Sequence, residues 1–117
     1  SGRLYLDGNI SVEEDAQSIK ERRNLSANGF IEVTVLITPK GNVHNRPILT
    51  FKGLPIIDKE DFKIELEEEI EKTIKTFSLI NKKQEMNLME ALKITCRKFT
   101  KEKTGKRPLA NINLVRV

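Results

Sequence analysis

The chain has 117 residues, 38% of them apolar and 32% charged, with a net charge of +4. That length suits one domain with a single two-layer core. It contains no apolar run of about 18 residues, so nothing in it is built to span a bilayer, and no signal-peptide core is present. With no Trp, five Phe and one Tyr, aromatic platforms for stacking single-stranded bases are scarce. The single cysteine, Cys96, has no internal partner for a disulfide, which fits a reducing, cytoplasmic location.

In chain order, Ser1-Gly2 reads as a cleavage scar and residues 1–10 as linker, so the chain is expected to be a piece of something longer. Leu4-Tyr5-Leu6 reads as a short strand closed by the turn signal Asp7-Gly8-Asn9. A helix is predicted over 12–25: Glu13 and Glu14 stand in its first turn and Lys20, Arg22 and Arg23 in its last, each sign at the favourable end of the dipole. Asn28-Gly29 ends it.

The clearest strand is predicted over 30–38. Ile31, Val33, Val35 and Ile37 alternate onto one face, the expected core side, and Phe30, Glu32, Thr34, Leu36 and Thr38 onto the other. Pro39-Lys40-Gly41-Asn42 reads as a hairpin turn and 43–52 as the returning strand. Pro47 cannot donate to a ladder, so that strand is expected at an edge or bulged. A helix over 59–79 follows, capped by Asp58, with Phe62, Leu66, Ile70, Ile74 and Phe77 as its stripe. Residues 81–84 are expected to connect it to a helix over 86–103, with Leu88, Leu92, Cys96 and Phe99 buried, stopped by Gly105. A strand is predicted over 109–117. The expected fold is α+β: a three-stranded sheet (30–38, 43–52, 109–117) with the helices 59–79 and 86–103 on one face. The opposite face, with Phe30, Leu36, Val115 and Val117, is expected to be partly apolar and to meet another domain or subunit.

Residues predict little chemistry here. One histidine and one cysteine make no metal cluster, and no zinc-ligand spacing occurs; His44 is expected on the surface and Cys96 in the core. The glycines at 8, 29, 41, 53 and 105 are isolated, so no phosphate loop forms. No catalytic and no metal-binding residue is assigned. The charge is segregated. Residues 58–71 hold eight acids and two lysines, and residues 93–107 hold seven bases and one acid. Arg97, Lys98, Lys101, Lys103, Lys106 and Arg107 are the candidate phosphate ligands for RNA. Two solvated faces are the alternative. Arg107, fixed before Pro108, has the further alternative of pairing with an acid to lock the turn.

Two stretches carry a resemblance. The first is the run from Lys20-Glu21-Arg22-Arg23 through Leu25 to Gly29, followed by the valine-rich strand. The second is Arg97-Lys98-Phe99, then Lys103-Thr104-Gly105-Lys106-Arg107-Pro108 and a C-terminal strand, with Arg46-Pro47-Ile48 and Phe51-Lys52-Gly53 between the two. Together they resemble the C-terminal domain of ribonuclease J, a β-CASP member of the metallo-β-lactamase superfamily. Glu13-Glu14-Asp15 departs from the family's Asp-Val-Gly in the entry linker. The resemblance implies an accessory domain of an enzyme that uses zinc to cut RNA internally and to degrade it from the 5′ end. The zinc ligands of such enzymes lie in other domains, so no catalytic residue carries over. It also implies the rest of the ribonuclease chain and a homo-oligomer as partners, with RNA possible and no membrane.

Overall fold

A computed structural model describes residues 19–20, 28–78 and 80–117. The linker and scar expected over 1–10 and most of the helix predicted over 12–25 lie outside the described residues. Ile19 and Lys20, within it, are helical and exposed.

The elements run β1 (Phe30–Ile37), β2 (Val43–Lys52), α1 (Lys59–Lys75), α2 (Lys82–Thr104) and β3 (Leu109–Arg116). The sheet order is β2-β1-β3. β1 and β2 form an antiparallel hairpin, and β3 returns parallel to β1 after the two-helix crossover. The fold is therefore α+β with a mixed three-stranded sheet. Alternation along β1 puts Ile31, Val33, Val35 and Ile37 wholly out of solvent, against Leu66 and Ile70 of α1, Leu88, Leu92 and Cys96 of α2 and Ile112 of β3. At one end of this core Phe62 packs edge-on to Phe51 and tilted against Phe99, with both ring pairs 5.3 Å apart.

The hairpin closes as its composition predicts. Gly41 N–H donates to the Thr38 carbonyl and Thr38 N–H to the Asn42 carbonyl, each at 2.8 Å. Pro47 sits in an edge strand and also at an irregularity, since the register slips between Thr34 and Leu36. Asn45 takes a left-handed φ of 64° there, a conformation that Asn tolerates better than most residues. The bulge sends Arg46 towards α1, where its guanidinium stands 3.8 Å from the buried carboxylate of Glu67.

Helix ends differ from the sequence reading. The helix expected over 59–79 stops at Lys75. Thr76 Oγ1 donates to the Thr73 carbonyl at 2.7 Å and Phe77 N–H to the Ile74 carbonyl at 2.9 Å, which tightens and closes the last turn. Phe77 still packs on the core, from the connection rather than from the helix. The helix expected over 86–103 starts at Lys82 and ends at Thr104. Asn81 caps it by accepting the Gln84 N–H at 3.0 Å, so the supposed connection is its first turn. Gly105 ends it with φ 77° and its N–H on the Lys101 carbonyl at 2.9 Å.

Candidate functional site

Two surfaces remain once the core is accounted for. The first is the outer face of the sheet, away from α1 and α2. Parity assigns it Phe30, Glu32, Thr34 and Leu36 from β1, and register sets Leu109, Asn111, Asn113 and Val115 of β3 beside them. Its middle is polar. Glu32 Oε2 accepts from Asn111 Nδ2 at 3.0 Å and from Asn113 Nδ2 at 3.3 Å, and Asn113 Nδ2 also lies 3.3 Å from Thr34 Oγ1. Its ends are apolar. Leu36 lies beside Val115, which is 43% exposed, and Val117 beyond it is 57% exposed. Val117 is anchored by its N–H on the Ile37 carbonyl at 2.9 Å. Phe30 pairs with Leu109 at the far end, roughly 20 Å away at the usual strand rise. The structure thus brings Leu36, Val115 and Val117 together and sets Phe30 apart. Ile48, 56% exposed and opposite Thr34, belongs to the same face. Sequence reasoning passed over it because Pro47 obscures the alternation, and over the polar ladder because that spans two strands distant in sequence.

The second surface is the basic end, and its six candidates split. Lys103 leaves the group: Nζ lies 2.7 Å from Glu65 Oε1 and 5.6 Å from the centre of the Phe99 ring. The Glu65 carboxylate, by hydrogen bond and by charge, raises the Lys103 ammonium above its ordinary range. Arg97 Nε donates to the Pro108 carbonyl at 3.3 Å, and Lys101 Nζ to the Gly105 carbonyl at 3.1 Å. Both bonds go to neutral acceptors, so neither cation is paired with an acid among the described residues. Lys98, Lys106 and Arg107 are exposed, and their side chains make no ion pair or hydrogen bond among the described residues. The acid partner that would lock Arg107 is therefore not found there. The Thr104-Gly105-Lys106-Arg107-Pro108 motif works as a helix stop: Gly105 supplies the left-handed cap, and Pro108 is buried with its carbonyl held by Arg97.

Arg97, Lys98, Lys101 and Arg107 surround an open groove of about 480 Å³. Its apolar lining is Ile94, Pro108 and Leu109, and Glu102 is the one acid on its rim. Ile94 is 65% exposed, and no sequence signal set it apart from the basic residues around it.

Among the described residues no group of three His, Cys, Asp or Glu side chains can hold a metal ion. His44 is exposed on β2. Cys96 is fully buried, and burial pushes its thiol up to about 12. No described helix is long and apolar enough to cross a membrane.

A family model described as the ribonuclease J C-terminal domain matches residues 17–117. The chain belongs to the ribonuclease J C-terminal domain family. A curated relative, ribonuclease J of Sinorhizobium meliloti (strain Sm2011 / Rm2011 / 2011), is 27% identical over 118 residues. The match takes in 99% of this chain and 21% of that protein, so the chain spans about a fifth of the relative's length. For a ribonuclease J C-terminal domain, the glycine-basic-basic-proline ending acquires a plain physical reading. It stops α2 and releases β3 into the sheet beside β1.

Proposed function

We propose that this ribonuclease J C-terminal domain is the non-catalytic assembly module of a cytoplasmic, zinc-dependent, RNA-degrading enzyme. The chemistry belongs to domains outside this chain, and this domain holds copies of the enzyme together through the outer face of its sheet. The observation that carries the reading is the Leu36, Val115 and Val117 group, an apolar patch on a sheet face that no described element covers. The polar ladder of Glu32, Asn111, Asn113 and Thr34 beside it supplies directional groups that fix a register, as polar groups within interfaces do. RNA guidance by the basic end is the second reading. It draws on Lys98, Lys106 and Arg107, whose charges have no acid partner among the described residues, and it is weakened by the loss of Lys103 to Glu65.

The test is Leu36→Glu. Placing a carboxylate beside Val115 should leave the far-ultraviolet circular dichroism unchanged and reduce self-association of the chain by at least about tenfold, since a buried unpaired charge costs several kcal/mol. Unchanged association in a folded variant contradicts the assembly reading. Salt-sensitive RNA binding lost on Lys98→Ala and Arg107→Ala would transfer support to the second reading.

A further inference from the structure

The two helices carry opposite charge on opposite flanks. α1 packs over β2 and α2 over β3, the two edges of the sheet. On α1, Glu60, Ile64, Glu68 and Glu71 fall at i, i+4, i+8 and i+11, one mainly acidic stripe on the side away from Phe62, Leu66 and Ile70; Lys75 at i+15 closes it with a base at its C-terminal end. Ile64 is 46% exposed at the centre of that stripe. Of the other acids of the helix, Glu65 pairs with Lys103, Glu67 with Arg46 and Glu69 with Lys72, while Asp61 in the first turn makes no ion pair among the described residues. Glu60, Glu68 and Glu71 form no ion pair among the described residues. The groove beside α2 is the converse, with an exposed isoleucine, Ile94, among four cations that form no ion pair among the described residues, and Glu102 on the rim.

We propose that the acidic stripe of α1 in one copy docks into the basic groove beside α2 of a second copy, with Ile64 against Ile94 and Leu109. The two surfaces have opposite sign, similar helical spacing and an exposed isoleucine each, which is the complementarity that steers and registers a charged interface. Because they differ and lie on opposite flanks, the contact is head-to-tail rather than two-fold, and it links successive copies into a ring or a row. It does not depend on the outer sheet face. If both operate, one surface pairs copies and the other links the pairs. An RNA strand suits the groove less well: the lining offers aliphatic groups and no ring on which a base stacks, and Glu102 repels phosphate.

Charge exchange in a Leu36→Glu background, which removes the sheet-face contact, tests this separately from the assembly reading. The first variant adds Lys98→Glu and Arg107→Glu; the second adds Glu68→Lys and Glu71→Lys. All four side chains are free of ion pairs among the described residues, so the fold should survive, and circular dichroism checks that it does. Sedimentation is followed at about 50 mM and about 500 mM salt, either side of the range where exposed charges are screened. The Leu36→Glu parent should associate at low salt and dissociate at high salt. Each charge variant alone should associate about tenfold more weakly or worse, and their equimolar mixture should recover the parent's association. A parent that is monomeric at low salt, or a mixture that recovers nothing, overturns the proposal. So does a ten-nucleotide single-stranded RNA whose binding is lost in the first variant while no mass changes with salt or mixing.

Discussion

Lys103 shows how far a residue's role depends on what the fold sets beside it. In the sequence it is one base among seven; in the structure its ammonium is held by Glu65 from the other helix and lies over Phe99. Its pKa is raised, first by the hydrogen bond to Glu65 and then by the charge of that carboxylate. A lysine whose folded pKa exceeds its unfolded value adds stability that is fully present below the unfolded value and is lost as pH rises through the folded one. Glu65→Gln should therefore bring the Lys103 titration, followed by the NMR shift of its side chain, down towards the ordinary lysine range. A titration that stays put or moves up contradicts the pairing. Cys96, by contrast, has a role that the sequence alone could place. Its place on the buried stripe of α2 was legible from the three-and-four spacing alone. Burial holds the thiol neutral to about 12, and an acid whose pKa is raised on folding stabilises the fold below its unfolded value and ceases to do so as pH climbs above it. Stability should thus decline with pH from about 9 upward through this group. Cys96 should also resist a thiol-disulfide reagent at pH 8 until urea unfolds the chain; prompt labelling of the folded protein would refute its burial.

Among the elements, strands were read more accurately than helix ends, and the reason is physical. Alternating burial along β1 is set by period two, and β-branched residues at every core position leave one assignment. Helix ends are decided by single hydrogen bonds. Phe77 keeps the apolar spacing from Ile74, so periodicity carries the helix past Lys75; the hydroxyl of Thr76 and the 3-residue bond of Phe77 close it. At the other helix the first turn holds no apolar residue, so periodicity finds nothing there. The usable signal was Asn81 with Gln84 three residues later, the spacing of a cap. The glycines of the two turns separate by what surrounds them. Gly105 has a φ of 77° and open space around a would-be Cβ, so Gly105→Ala should cost about 1 kcal/mol, the left-handed penalty alone. Gly41 has a φ of 86°, and a Cβ there would stand 2.7 Å from the Ile80 carbonyl oxygen and 2.8 Å from the Ile80 nitrogen, both backbone atoms. Its own carbonyl accepts the Ile80 N–H at 3.1 Å, which ties the hairpin to the helix connection. Gly41→Ala should therefore be clearly more destabilising than Gly105→Ala in urea denaturation. Equal midpoints would show that the hairpin tip is free to move off Ile80.

At the scale of the whole molecule, the two-layer arrangement was legible because each element has one apolar face and the faces have one way to close. The edge position of β2 was foreshadowed by Pro47. The parallel entry of β3 beside β1 was not, since parallel and antiparallel pairing would bury Ala110, Ile112 and Leu114 on the same side. The site was legible in part. The outer face followed from strand parity, whereas its division into an apolar end and a polar ladder needed the register of two strands far apart in sequence. The basic end was legible as charge, and its breakdown into Lys103 paired with Glu65 of α1, Arg97 and Lys101 on carbonyls, and Lys98, Lys106 and Arg107 without an ion pair among the described residues was not, because pairing is set by tertiary contacts. What the described elements leave uncovered is the face carrying Leu36, Val115 and Val117, and the account rests on that face joining copies of the domain. The most direct measurement is the mass of the chain in solution by light scattering over a wide concentration range, at a salt concentration high enough to screen surface charge. The account predicts a mass that rises with concentration towards at least a dimer and survives the salt. A monomer mass at every concentration would contradict it.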